Sequence, residues 1–94
     1  DSTTPEQFAE LAEQQAQQVI GFVDNLCQEA GVVCNKMTLT CDVPYEAIIE
    51  AATQSGCDLI FMASHGRRGF SGLLLGSETN KVLTHSKIPV LVYR

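Results

Sequence analysis

The sequence predicts an α/β fold, a doubly wound parallel sheet with helices on both faces. Three observations predict it. Segments of helical period and of strand period alternate along the chain, in the order helix, strand, helix, strand, helix, strand. Leu59–Ala63 is apolar without alternation, as a strand covered on both faces would be. A glycine-rich turn follows that strand, then Gly76-Ser77 and a further helical pattern. Strands separated by helices imply right-handed crossovers and a parallel sheet. In such sheets ligands bind beyond the carboxyl ends of the strands.

Each element has its own signals. Thr4 can cap a helix, Pro5 suits its first position, and Gln7 stands where a capping box wants Glu or Gln. Phe8, Leu11, Ala12, Val19, Phe22, Val23, Leu26, Cys27 and Ala30 then paint one face, and Gly31 is the natural stop. Val32–Cys41 switches to alternation, with Met37, Leu39 and Cys41 on one side and Thr38 and Thr40 on the other, which predicts a strand. Asp42-Val43-Pro44 turns the chain into a second helix with a stripe of Ile48, Ile49 and Ala52, closed by Gly56. A last helix runs from about Ser77 to Thr84, with His85 favourably placed for its dipole. Ile88–Tyr93 makes the final strand, with Pro89 near its start.

The totals bound the function. Ninety-four residues make one domain or part of one, and the net charge of -5 argues against nucleic acid as a partner. The balance is local, however: no acidic residue lies between Asp58 and Glu78, where His65, Arg67 and Arg68 gather. An acidic chain with one basic loop suits a small anionic ligand. No stretch is long enough to span a bilayer, and the opening residues lack the basic-then-apolar order of a secretory signal. A soluble, cytoplasmic chain with no membrane partner is expected. The four cysteines, Cys27, Cys34, Cys41 and Cys57, form no C-x-x-C pair and no metal-ligand spacing with either histidine, and read as buried thiols.

The chemistry concentrates between Ala63 and Ser77. A strand, a turn rich in glycine and arginine, and a Gly-Ser opening a helix form a construction for holding phosphate. Glycine lets backbone approach, free N–H groups and the helix dipole face an anion, and guanidinium adds charge. The P-loop and dinucleotide fingerprints are absent. Ser64-His65 invites a catalytic reading, but neighbours at a strand end are expected to point to opposite sides, and no nucleophile elbow surrounds Ser64. Phe70, Leu73, Leu74 and Leu75 are too apolar for an open loop and suggest a lid or a subunit contact.

Gly66, Gly76 and Ser77, with nine residues between the glycines, match three points of the pattern G-x2-G-x9-G-[ST], in which Ala63 replaces the first glycine. With Cys57-Asp58-Leu59-Ile60, Thr84-His85-Ser86 and Ile88–Val92 as flanks, the chain resembles the nucleotide-binding branch of the universal stress protein family. The likeness is dense from about Asp42 to Arg94. It implies an adenine nucleotide alpha hydrolase-like fold and a site in which Met62 and Ala63 meet the nucleoside. Gly66, Gly76 and Ser77 would meet the phosphates. His65, Arg67, Arg68, Gly69 and Glu78 complete the candidate set, the arginines on charge alone.

The same resemblance implies that residues 1–94 are the C-terminal portion of a single domain, here lacking the N-terminal strand–helix–strand. In the family those first two strands lie between this chain's first strand and its last two. The expected ligand is ATP, or AMP or ADP, with Mg2+ as a companion ion. The expected assembly is a homodimer through the edge strand Val90–Tyr93. The implied function is a nucleotide-dependent stress-response regulator or adaptor with at most slow hydrolysis, since no general base or nucleophile is visible. The alternative is a nucleotide-free homodimeric module acting through protein contacts, and an enzyme acting on a phosphorylated metabolite is a third reading.

Overall fold

In the computed structural model, which describes residues 2–65 and 75–94, the chain divides into two units, Asp1–Leu39 and Thr40–Arg94. The first is built around helix α1 (Pro5–Ala30). Its start is the capping box the sequence predicts. The Gln7 N–H donates to Thr4 Oγ1 at 3.1 Å, and the Thr4 N–H donates to Gln7 Oε1 at 2.9 Å. Its end needs a left-handed residue, which Gly31 supplies at φ 69°. The Val32 N–H then reaches back to the Cys27 carbonyl at 2.9 Å and reverses the chain. Along the polar face, side chains one turn apart pair, Gln17 with Glu13 and Gln28 with Asp24, both at 3.0 Å. No residue of α1 is buried.

The predicted strand Val32–Cys41 does not form. Its alternation is present, but a strand is defined by hydrogen bonds to a neighbour, and this segment has no ladder partner among the described residues. Lys36 instead ties it to α1, its Nζ donating to Asp24 Oδ1 at 2.8 Å. The expectation of buried thiols also needs correction. Cys27 and Cys34 are half-buried, whereas Cys41 and Cys57 are exposed.

The second unit orders α2 (Pro44–Gln54), β1 (Ile60–Ala63), α3 (Ser77–His85) and β2 (Val90–Tyr93). β1 and β2 pair in parallel, Ile60 opposite Val90 through Ala63 opposite Tyr93. A parallel pair requires a crossover, and α3 provides it. The ladder is extended at both ends, by the Ile60 N–H to the Pro89 carbonyl at 2.9 Å and the Ser64 N–H to the Tyr93 carbonyl at 2.7 Å. α3 packs on α2 and on β2. Val82 at its centre is fully buried, and Ile60, Ser64 and Thr79 complete the small core.

Coverage of β1 on both faces is not observed. Ile60 is buried and Met62 half-buried, while Phe61 and Ala63 are exposed, so one face of the pair is packed and the other open. On the open face the Phe61 and Tyr93 rings meet edge to face at 6.2 Å. The architecture is α/β, with a small parallel sheet.

Candidate functional site

The carboxyl end of β1 and the start of α3 are joined directly. The Gly76 N–H donates to the Ser64 carbonyl at 2.8 Å, and Thr79 Oγ1 donates to the Ala63 carbonyl at 2.9 Å. Thr79 is 3% exposed, so a buried hydroxyl satisfies a strand-end carbonyl that the ladder leaves free. Gly76 is the N-cap of α3, with extended backbone, and among the described residues no side chain caps the helix. The amides of its first turn and the positive end of its dipole are thus left to whatever lies in front of them. Ser77 is exposed at that point, its hydroxyl beside the helix start.

Met62, Ala63, His65, Gly76, Ser77 and Glu78 of the sequence-predicted site therefore fall on one strand end and one helix start. Gly66, Arg67, Arg68 and Gly69 lie outside the described residues, as do Phe70, Leu73 and Leu74. The Gly76 amide is engaged with Ser64, and the amides of Ser77, Glu78 and Thr79 and the exposed Ser77 side chain follow it in the first turn of α3. Glu78 is engaged as well. Its Oε1 accepts the Tyr45 N–H at 3.0 Å and its Oε2 pairs with Lys81 at 3.3 Å. Val43 gives α2 no side-chain cap of its own, so Glu78 caps that helix from α3.

Ser64 and His65 do not point apart. β1 ends at Ala63, and the bend beyond it lets Ser64 Oγ and His65 Nδ1 meet at 2.9 Å. Strand alternation stops applying once the chain leaves the ladder. Ser64 is 7% exposed, so its hydroxyl is not presented to a substrate. Among the described residues His65 Nε2 is buried without a hydrogen-bond partner, an exception that asks for a reason.

Sequence reasoning passed over Tyr45. Its ring lies 5.1 Å from that of His85 and its centroid 5.8 Å from Lys81 Nζ, so α3 grips the start of α2 through one aromatic. The signal was an aromatic directly after the helix-opening Pro44, beside a helix whose charges recur at Glu78, Lys81 and His85. Among the described residues no three of His, Cys, Asp or Glu gather as a metal centre would require. No helix among them is long and apolar enough to cross a membrane.

A strand end tied to an uncapped helix start is the context that the Gly66/Gly76-Ser77 spacing calls for. The model of the universal stress protein family matches residues 1–94. The chain belongs to that family. Among its relatives, a universal stress protein of Methanocaldococcus jannaschii is 33% identical over 89 residues, covering 95% of this chain and 52% of the relative. A second one from the same organism is 42% identical over 52 residues, 55% of this chain and 32% of the relative. One from Thermus aquaticus is 41% identical over 51 residues, 54% of this chain and 37% of its own length. The chain thus spans about half, or less, of the length of these curated relatives.

Proposed function

We propose that the turn joining β1 to α3 binds an adenine nucleotide, and that the protein acts as a nucleotide-dependent regulator or adaptor in the stress response. The observation that carries this reading is the uncapped start of α3, held against the strand end by the Gly76–Ser64 and Thr79–Ala63 hydrogen bonds. A helix start so placed favours phosphate. Ser77 offers a hydroxyl and an amide, and Arg67 and Arg68 belong to the intervening basic segment. The orphaned His65 Nε2 suits a polar atom of a ligand. Met62 and Ala63 would meet the nucleoside, and Mg2+ would arrive with the phosphates.

Family membership supports a stress-response role, and hydrolysis would be slow at most. The protein would then be a doubly wound domain acting in the cytoplasm. It assigns dimerisation to β2, whose Leu91 and Tyr93 are exposed. Leu91→Lys should lower the mass seen by light scattering from dimer to monomer, and an unchanged mass would remove that assignment.

Calorimetric titration with ATP and with AMP tests the site. One nucleotide per chain is expected, weakened by Ser77→Ala by about fivefold to tenfold, the effect of one hydrogen bond. Gly76→Val, which crowds the approach to the helix start, should reduce binding more. If both variants bound like the parent, the site would lie elsewhere. A folded chain that took up no nucleotide would favour the protein-contact module, toward which Ala63 in place of the family's first glycine already leans.

A further inference from the structure

The reversal after α1 does more than end the helix. Gly31 turns left-handed, the Val32 N–H closes on the Cys27 carbonyl, and the chain runs back along the last turns of α1. Two rungs join the returning segment to the helix. Lys36 Nζ donates both to Asp24 Oδ1 at 2.8 Å and to its own segment's Cys34 carbonyl at 3.2 Å. Cys34 lies on the returning segment between these two anchors, the Val32 N–H on the Cys27 carbonyl and Lys36 on Asp24, and so comes beside the turn of α1 that carries Cys27. Cys27 and Cys34 are both half-buried and both free. Cys41 and Cys57 are exposed.

We propose that Cys27 and Cys34 form a dithiol site that closes to an intramolecular disulfide when it meets a hydroperoxide, locking the returning segment to the end of α1. Nothing in the nucleotide reading uses these residues, so the two proposals fail or stand separately. The chemistry balances with hydrogen peroxide as the oxidant. A thiolate attacks one peroxide oxygen and expels hydroxide, leaving a sulfenic acid. The second sulfur then attacks the sulfenic sulfur, forming the S–S bond and expelling a second hydroxide. The two thiol protons turn the hydroxides into water, so two thiols and one hydrogen peroxide give one disulfide and two waters. The Cys27 thiol is pushed up from its ordinary value, first by hydrogen bonding with Cys34 and then by burial. The Lys36–Asp24 pair is the clamp that holds the returning segment to α1.

The test uses the chain carrying Cys41→Ser and Cys57→Ser, treated with one equivalent of hydrogen peroxide, quenched by alkylation and weighed intact. The expected product is a monomer lighter by two hydrogen atoms, with no alkylated cysteine, restored by dithiothreitol. Tryptic mapping of the unsubstituted chain should give the peptide of residues 1–36, which holds both Cys27 and Cys34, lighter by two hydrogen atoms and free of alkylation, which guards against an effect of the serines. Denaturing the chain before oxidation should slow closure by about tenfold or more, because the folded reversal raises the local thiol concentration. Lys36→Met should slow it by a smaller factor with α1 intact by circular dichroism. Two alkylated cysteines, a disulfide-linked dimer, or equal rates in folded and denatured chains would each overturn the proposal.

Discussion

Residues 1–39 and 40–94 are written in different codes. The first unit rests on contacts between residues near in sequence: the Thr4/Gln7 box, the Gly31 reversal, and pairs one turn apart such as Gln17 with Glu13. It buries nothing in α1. The second unit rests on contacts across the chain, Ile60 with Val90, Tyr45 with Glu78, and Thr79 with Ala63, and it has the fully buried Val82. Local contacts define a helix without fixing anything beside it, whereas a site needs groups from separate elements held at fixed distances. The candidate site is accordingly in the second unit.

The largest break in this comparison should come from Val82→Ala. Losing two buried methyl groups from the centre of α3 should cost the second unit about 2 kcal/mol, read by urea denaturation. Phe8→Ala, at a side chain 70% exposed on α1, should change stability by no more than about 0.5 kcal/mol. Equal costs would erase the distinction between the units. Glu78→Gln is a finer probe. It keeps an acceptor for the Tyr45 N–H but removes the charge shared between α2 and Lys81. A loss of about 0.5–1 kcal/mol is expected, with faster amide exchange at Tyr45. Unchanged exchange there would mean that Glu78 does not cap α2.

The smallest effect lies in the first unit. The hydrogen bond from Lys36 holds the Asp24 carboxyl below its ordinary value, against a desolvation that raises it. A depressed carboxylate stabilises above its unfolded value and loses that contribution as pH falls through the folded one. Lys36 is raised, chiefly by the same hydrogen bond, so its share is lost as pH rises through its folded value. Carbon-13 titration of the Asp24 carboxyl should show the depression, and Lys36→Met should abolish it. An Asp24 that titrates the same in both chains would show that the clamp is not formed in solution.

What could be read from the sequence follows the same division. Both ends of α1 were legible because Thr4, Pro5, Gln7 and Gly31 act within a few residues of themselves. The strand expected at Val32–Cys41 was not, because alternation describes one edge and a strand requires two. The position of Gly76-Ser77 at a helix start was legible from spacing. The capping of α2 by Glu78 and the meeting of Ser64 with His65 were not, since each depends on a bend or a neighbour that no local pattern encodes.

The measurement that bears most directly on the central claim is a nitrogen–proton correlation spectrum of the chain with and without ATP. Binding at the β1–α3 junction predicts shifts at Ser64, His65, Ser77 and Glu78, with the amides of α1 unmoved. Shifts confined to α1, or no shifts at millimolar ATP in a folded chain, would contradict it.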